Sequence, residues 1–189
     1  MRIVAGTFRG RALVAPKGQS TRPTAERTRE ALFNVLEHAA WAPPLDGRRV
    51  LDIFAGSGAL GLEAISRGAA FCLFLDRNAA AREAIGANAG ALNLIDRTRI
   101  DRRDATTISR RTSTDGLPFD LAFLDPPYGR GLGEAALARL AAGAWLAEGA
   151  LVVLERGAGD PAPTPEGFQL LDERTWGAAQ VSFLSPLAP

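Results

Sequence analysis

The chain has 189 residues, of which 47% are hydrophobic and 23% charged, and its formal net charge is +1. This length and composition predict one globular domain with a well-buried core and leave little room for a second. No apolar run approaches the roughly 20 residues of a membrane-spanning helix, so no membrane partner is expected. The single cysteine, Cys72, excludes an internal disulfide and favours a cytoplasmic protein. The single histidine, His38, has no metal-ligand spacing around it, so no metal site is expected.

Positive charge is concentrated at the start of the chain. Residues 1–30 carry a net charge of +5, and the remaining residues sum to about −4. Residues 2–15 also predict a small β-hairpin, which is too short to fold alone. We therefore predict a basic β-hairpin extension over residues 1–20 that contacts a polyanion, and a main domain over residues 21–189. A solvated, arginine-rich surface is the alternative interpretation.

A glycine-rich turn follows the first predicted strand of the main domain. Residues 50–54 form an apolar run interrupted only by Asp52, which is typical of a buried parallel strand. Gly56 and Gly58 come next, followed by apolar residues at helical spacing, so a helix N-terminus directs its free N–H groups at the turn. Together with Gly61, the turn fits the G-x-G-x-x-G pattern of dinucleotide-binding domains. It therefore predicts a cofactor site.

Asp76 ends the next apolar run, residues 71–75, and lies 20 residues after Gly56. A carboxylate at this position can accept hydrogen bonds from ribose hydroxyls. That function suits NAD and S-adenosylmethionine equally well, so the turn alone does not identify the cofactor.

The stretch Asp125-Pro126-Pro127-Tyr128 helps to distinguish between these two cofactors. It follows an apolar run over residues 119–124 and so lies at the carboxyl end of a predicted strand, where open α/β sheets bind ligands. Two consecutive prolines fix two φ angles and remove two N–H donors, which makes the turn rigid. A carboxylate, free carbonyls and an aromatic ring are thereby held in fixed relation.

Strands and helices alternate through most of the main domain, which predicts a parallel, doubly wound sheet. Two further apolar stretches, 168–174 and 179–184, predict an antiparallel hairpin at its end. The strand candidates before them are residues 49–54, 70–75, 97–101, 119–124 and 149–154, and the helix candidates are 58–67, 78–91 and 132–146.

These motifs resemble those of amino-group methyltransferases and, more narrowly, those of the RsmD family of 16S ribosomal RNA guanine-N2 methyltransferases. The glycine turn and the Asp-Pro-Pro-Tyr stretch are shared with many methyltransferases, whereas the N-terminal stretches narrow the resemblance to one family. The resemblance spans nearly the whole chain, through residues 1–6, 9–11, 21–24, 29–34, 52–58 and 123–128.

The resemblance implies a Rossmann-like class I methyltransferase fold, with a mostly parallel seven-stranded sheet, and S-adenosylmethionine as cofactor. The cofactor-binding residues that it implies are Thr24, Asp52, Phe54, Ala55, Gly56, Ser57, Gly58, Asp76, Arg77, Asp104 and Ala105. The catalytic residues would be Asp125, Pro126, Pro127 and Tyr128. Contacts to phosphates of small-subunit ribosomal RNA, free or in the assembling 30S particle, would come from Arg9, Arg11, Arg22 and Arg29. We expect a monomer.

The predicted reaction moves a methyl group onto the exocyclic N2 of a guanine. Asp125 and a carbonyl of the proline turn would accept the N–H bonds of that amine, and Tyr128 would stack on a base taken out of its helix. Three alternatives remain open: a DNA adenine-N6 methyltransferase, an NAD-dependent oxidoreductase and a non-catalytic RNA-binding module. The first usually carries a separate target-recognition region and the second a substrate domain, and the chain has little room for either.

Overall fold

A seven-stranded sheet forms the centre of the computed structural model, which describes residues 1–16, 23–160 and 166–187. The strand order is β3-β2-β1-β4-β5-β7-β6. The first five strands in this order are parallel, and β7 is antiparallel to both β5 and β6, as predicted. The strands are β1 (Arg49–Ile53), β2 (Phe71–Leu75), β3 (Thr98–Asp101), β4 (Phe119–Leu124), β5 (Leu146–Gly157), β6 (Phe168–Trp176) and β7 (Ala179–Pro186).

Helices cover both faces of this sheet. They are α1 (Pro23–His38), α2 (Ala59–Ser66), α3 (Ala79–Ala91) and α4 (Leu132–Ala142), with short 3₁₀ turns at Ile95–Arg97 and Ser113–Asp115. Burial on both faces explains why the parallel strands are nearly continuous apolar runs. Helices α1, α2 and α3 contribute to one buried cluster and α4 to the other. No helix in the three described ranges is long and apolar enough to cross a membrane.

The predicted end of the last helix, α4, was wrong. The sequence predicted a helix over residues 132–146, but α4 ends at Ala142 and β5 begins at Leu146. Between them Ala144 adopts a positive φ of 54°, which breaks the helix. Trp145 is consequently fully buried, and its indole N–H donates to the carbonyl of Ser109 at 2.9 Å. The stabilisation gained by burying this large side chain outweighs the helical preference of the segment.

The N-terminal segment folds back on itself as a short antiparallel hairpin, and this arm packs on the main domain. A single antiparallel bridge joins Arg2 to Ala12, and Ile3 and Leu13 are buried in the cluster that contains α2. The fully buried carboxylate of Glu63, on α2, accepts hydrogen bonds from the N–H groups of Val4 (2.8 Å) and Ala5 (2.9 Å). The arm therefore shares the core of the main domain. The predicted boundary after residue 20 lies outside the described residues.

Asn88, on α3, connects the second half of this arm to the glycine turn. Its side chain bonds both the N–H (2.8 Å) and the carbonyl (3.0 Å) of Val14, and it also donates to the carbonyl of Ser57 at 2.9 Å. Asn88 is buried, so these bonds are protected from water. One side chain thus fixes the arm and the turn relative to each other.

Candidate functional site

The candidate site lies along the carboxyl edge of the sheet, centred on β1. Strand β1 pairs with β2 on one side and with β4 on the other, and the strand order reverses between them. In open α/β sheets the crevice at such a reversal is where ligands bind. The glycine turn leaves this edge after β1, Asp76 follows β2 and Asp125 follows β4. The predicted cofactor and catalytic stretches are therefore neighbours in space.

The glycine turn has unusual backbone angles. Phe54 has a φ of 58°, which is uncommon for a bulky residue, and Gly56 and Gly58 have φ values of 56° and 75°. Strained backbone of this kind is concentrated at functional sites. A β-carbon built on Gly56 would meet nothing closer than the carbonyl oxygen of Phe54, at 3.9 Å. The turn therefore leaves open space on the side of Gly56 where a ligand could approach the backbone.

Two buried features hold this turn against the sheet. A β-carbon on Gly61 would lie 2.5 Å from the sulfur of Cys72, so only glycine lets α2 pack this closely on β2. Asp52 is only 1% exposed and accepts a hydrogen bond from the N–H of Gly61 at 2.9 Å. Desolvation by burial raises the pKa of the Asp52 carboxyl well above its usual range. Asp52 therefore holds the first turn of α2 against the sheet through its bond to Gly61.

Asp76 connects the end of β2 to the glycine turn. One of its carboxylate oxygens accepts the N–H of Gly56 at 2.9 Å, and the other accepts the N–H of Asn78 at 2.8 Å. Each carboxylate oxygen has a second lone pair, and the side chain is partly exposed. Asp76 can therefore accept further hydrogen bonds from a ligand while it holds the turn in place.

Asp104 and Arg77 lie on the far wall of the same crevice. A small cavity here is lined by Phe54, Leu75, Asp76, Arg77, Arg103, Asp104 and Ala105. The carboxylate of Asp104 accepts hydrogen bonds from the N–H and the hydroxyl of Thr106, at 3.0 and 2.7 Å, and pairs with Arg77 at 3.1 Å. The Thr106 hydrogen bonds, with a smaller contribution from Arg77, lower the pKa of Asp104. Five of the predicted cofactor residues, including the buried Ala105, thus share this cavity.

The Asp-Pro-Pro-Tyr stretch lies on the opposite side of β1. The N–H of Asp125 contacts the carbonyl of Ile53 at 3.4 Å, next to the glycine turn. The Tyr128 ring lies against Gly157, is 43% exposed, and its hydroxyl donates to the carboxylate of Glu155. The Asp125 side chain is exposed, and desolvation by the surrounding protein, with the charge of Glu155, raises the pKa of its carboxyl above its usual range.

Glu155 was not among the predicted site residues. Desolvation raises the pKa of its carboxyl, and the hydrogen bond from Tyr128 partly opposes that shift. The sequence signal was present, because Glu155 follows the apolar run 149–154 just as Asp125 follows 119–124. Both acids directly follow the buried apolar residues of neighbouring parallel strands.

The predicted RNA-contacting arginines are not equivalent. Arg9 and Arg11 are exposed on the N-terminal arm, and Arg11 donates to the carbonyl of Ala91 at 2.8 Å. Arg29 is only 4% exposed and lies 3.6 Å from the buried Glu63, so its assignment as a phosphate contact was wrong. Its guanidinium instead compensates a buried carboxylate charge. Arg22 lies outside the described residues, and Thr24 lies in the first turn of α1.

Two solved structures with the same architecture are described as a methyltransferase and a methylase. A structure described as an Escherichia coli methyltransferase superposes with a TM-score of 0.82 and 32% identity, covering 100% of this chain and 99% of that one. A ribosomal protein L11 methylase from Lactobacillus delbrueckii superposes with a TM-score of 0.67 at 19% identity, over 97% of this chain and 90% of that one, and shares the fold alone. The sheet order and the glycine turn thus define a class I methyltransferase fold.

The family is also established. The model of a family described as "Conserved hypothetical protein 95" matches residues 1–185. Ribosomal RNA small subunit methyltransferase D of Escherichia coli is 35% identical over 97% of this chain and 87% of its own length. The enzyme of the same name from Haemophilus influenzae is 35% identical over 94% of this chain and 89% of its own. The chain belongs to this family, the RsmD family, which confirms the resemblance found in its sequence.

Proposed function

We propose that this protein transfers the methyl group of S-adenosylmethionine to the exocyclic N2 of a guanine in small-subunit ribosomal RNA. The observation that carries the proposal is the contact at the end of β1, where the glycine turn meets the Asp-Pro-Pro-Tyr stretch. A methyl donor held by the first and an amine held by the second would be adjacent. The names of the family relatives support ribosomal RNA as the substrate.

The residues of the crevice fit this cofactor. Gly56 leaves its open side to a ligand, Asp76 keeps lone pairs for ribose hydroxyls, and Asp104 is ionised beside the buried Ala105. When bound, S-adenosylmethionine supplies an electrophilic methyl group on a sulfonium. The remaining predicted cofactor residues, including Ser57 and Arg77, belong to the same turn and wall.

The chain's own contribution to the chemistry is alignment. An exocyclic amine is a weak nucleophile because its lone pair is delocalised into the ring. Asp125 would accept one N–H of this amine, and a carbonyl of the rigid Pro126–Pro127 turn would accept the other. Two acceptors favour a pyramidal nitrogen whose lone pair faces the methyl group, and proximity then accounts for most of the rate. Tyr128, whose hydroxyl is held by Glu155, would stack on the extruded base.

RNA contacts would come from the N-terminal arm. Arg9 and Arg11 are exposed there, and Arg22 remains a candidate. If these arginines neutralise phosphates, RNA affinity falls steeply with salt, by roughly a factor of ten in affinity per tenfold salt for each phosphate contact. We place the enzyme in the cytoplasm as a monomer, with the free RNA or the assembling 30S particle as partner.

The direct test is methyl transfer from labelled S-adenosylmethionine, followed by nucleoside analysis. The substrates are small-subunit particles, naked small-subunit RNA and duplex DNA. N2-methylguanine in the RNA is expected. N6-methyladenine in DNA would show that the DNA adenine methyltransferase alternative is right. A melting temperature raised by NAD and not by S-adenosylmethionine would instead favour the oxidoreductase, since a ligand of the folded state stabilises it.

A further inference from the structure

Two acidic side chains lie next to each other on the side of the site formed by the Asp-Pro-Pro-Tyr stretch and the end of β5. We call this the acceptor side, because the methyl-accepting base would bind there. Phe123 of β4 is in register with Val153 of β5, and both belong to the same buried cluster. Asp125 and Glu155 are each two residues further along, so their side chains point to the same face of neighbouring strands. Adjacent strands are about 4.8 Å apart. The charge of Glu155 is accordingly felt by Asp125.

These two carboxylates have few partners in the protein. Within residues 1–16, 23–160 and 166–187, the structure gives the Asp125 carboxylate no hydrogen-bond donor, and it gives Glu155 only the Tyr128 hydroxyl. One oxygen of Glu155 accepts that bond, so the second oxygen is available. Glu155 is partly buried, and such an acceptor without enough donors costs free energy unless a ligand supplies one. The geometry therefore favours a ligand that presents two adjacent N–H groups.

Guanine has this pattern and adenine does not. Guanine carries an N–H at N1 directly beside its exocyclic amine, so its edge presents two neighbouring donors. Adenine has a bare lone pair at N1 beside its amine, which would face a carboxylate with repulsion. Sites built to bond a particular N–H discriminate strongly against an analogue that lacks it, because the site's own polar group is then left unpaired.

We infer that Glu155 is the residue that selects guanine, by accepting the N1–H of the extruded base while Asp125 accepts one N–H of the N2 amine. This inference rests on the proposed function and deepens it. Tyr128 bonds one carboxylate oxygen of Glu155, which leaves the other available to the base. The pairing of β4 with β5 fixes the distance between the two acceptors.

The test replaces the target guanine by 2-aminopurine in small-subunit RNA, after the methylated position has been mapped with the unaltered protein. This base keeps the 2-amino group but has a lone pair at N1. The unaltered protein should methylate guanine with a kcat/KM at least about 100-fold higher. In Glu155→Gln the amide can donate to the N1 lone pair, so the guanine to 2-aminopurine ratio should fall at least about tenfold. The effect of the missing O6 is common to both proteins and cancels in this comparison.

Two further variants test whether Glu155 selects guanine or only holds Tyr128 in place. Glu148→Gln removes an exposed charge on the same strand and should leave the ratio unchanged. Tyr128→Phe should lower the rate with both bases by a similar factor, with the ratio kept. If Tyr128→Phe lowers the ratio as much as Glu155→Gln, then Glu155 acts only by holding Tyr128 and the inference is wrong.

The remaining outcomes distinguish this inference from the proposed function. If N2-methylguanine is formed but Glu155→Gln keeps the ratio of the unaltered protein, only the inference about Glu155 fails. If the unaltered protein methylates adenine, or no small-subunit guanine, both the inference and the proposed function fail. Thermal melting of each variant confirms that it is folded.

Discussion

The carboxylates on the two sides of the β1 carboxyl edge differ in how many hydrogen-bond donors the protein gives them. On the cofactor side, Asp52, Asp76 and Asp104 all receive donors from the protein itself, from Gly61, from Gly56 and Asn78, and from Thr106. On the acceptor side, among the described residues, Glu155 receives only the Tyr128 hydroxyl and the Asp125 carboxylate receives no donor. The carboxylates of the cofactor side thus have hydrogen-bond donors in the protein itself, whereas those of the acceptor side would receive donors from a substrate.

The difference also appears in the ionisation of these groups. Hydrogen bonds from Thr106 lower the pKa of Asp104, whereas desolvation raises the pKa values of Asp125 and Glu155, and the charge of Glu155 adds to the shift at Asp125. Asp52 is the exception on the cofactor side, because its complete burial outweighs its hydrogen bond from Gly61. Preorganised donors at fixed carboxylates suit tight binding, and unsatisfied acceptors suit an incoming amine.

Removing the Asp125 carboxylate should have the largest effect on activity. We expect Asp125→Ala to lower kcat by about 10²- to 10³-fold, the loss typical of one preorganised polar group in a transition state. The dissociation constant of S-adenosylmethionine, measured by calorimetry, should change little because the cofactor side is intact. Asp125→Asn is the control: its amide oxygen still accepts a hydrogen bond, so a smaller loss is expected. An Asp125→Ala variant with full activity would exclude this residue from catalysis.

Changing Asp76 should affect binding rather than turnover. In Asp76→Asn one carboxylate oxygen is replaced by an amide NH₂, which cannot accept the N–H of Gly56 or Asn78. Loss of a charged hydrogen bond of this kind costs about 1.5–3 kcal/mol, so the Kd of S-adenosylmethionine should rise about 10- to 100-fold. The kcat at saturating cofactor should fall much less. A reversed pattern would show that the two sides are not functionally separate.

The packing of α2 on the sheet can be tested without any ligand. Gly61→Ala places a β-carbon 2.5 Å from the Cys72 sulfur, which should lower the free energy of unfolding by about 1–3 kcal/mol. Gly90→Ala in α3 is the matched control, since nothing lies within 4 Å of its β-carbon and alanine favours a helix by about 0.5–1 kcal/mol. Urea unfolding measures both. Equal stabilities of the two variants would contradict the close contact at Gly61.

The acceptor side should also give a characteristic pH dependence. Its carboxyls have raised pKa values in the folded protein, so between the ordinary value of about 4 and the raised value the folded state holds more protons than the unfolded chain. Stability therefore falls as pH rises through this window, while the ionised Asp125 that accepts the amine becomes more abundant. Activity should rise over the pH range in which the melting temperature falls.

Asp125→Asn removes this titrating carboxyl and should flatten both pH profiles, although Glu155 still titrates. Melting temperatures and kcat/KM measured across the same buffers provide the check. An unaltered acidic limb of activity in Asp125→Asn would assign that limb to another group.

Much of this arrangement was predictable because it follows from local pattern. Apolar runs gave the strands, Gly56 and Gly58 marked the turn, and acids at strand ends marked the edge. The errors came from contacts between distant parts of the chain. Arg29 is buried because Glu63, 34 residues later, needs its charge, and no pattern around Arg29 indicates that partner.

The end of α4 was missed for a similar reason. Residues 143–146 continue an apolar run with helical spacing, but Trp145 is buried against a segment near Ser109 that has no regular structure. Glu155 was missed for a different reason: it follows an apolar run as Asp125 does, but only the pairing of β5 with β4 brings it close to Asp125. Periodicity predicts which face is buried, and tertiary contacts decide where an element stops.

The contact between Gly61 and Cys72 provides a natural probe of motion in the turn. Cys72 is the chain's only cysteine, it is fully buried, and burial raises the pKa of its thiol, so it should react with thiol reagents only when α2 moves away from β2. Its labelling rate then measures how often this part of the molecule opens. A cofactor that binds at Gly56 would slow the labelling, and a base bound only beside Asp125 would leave it unchanged.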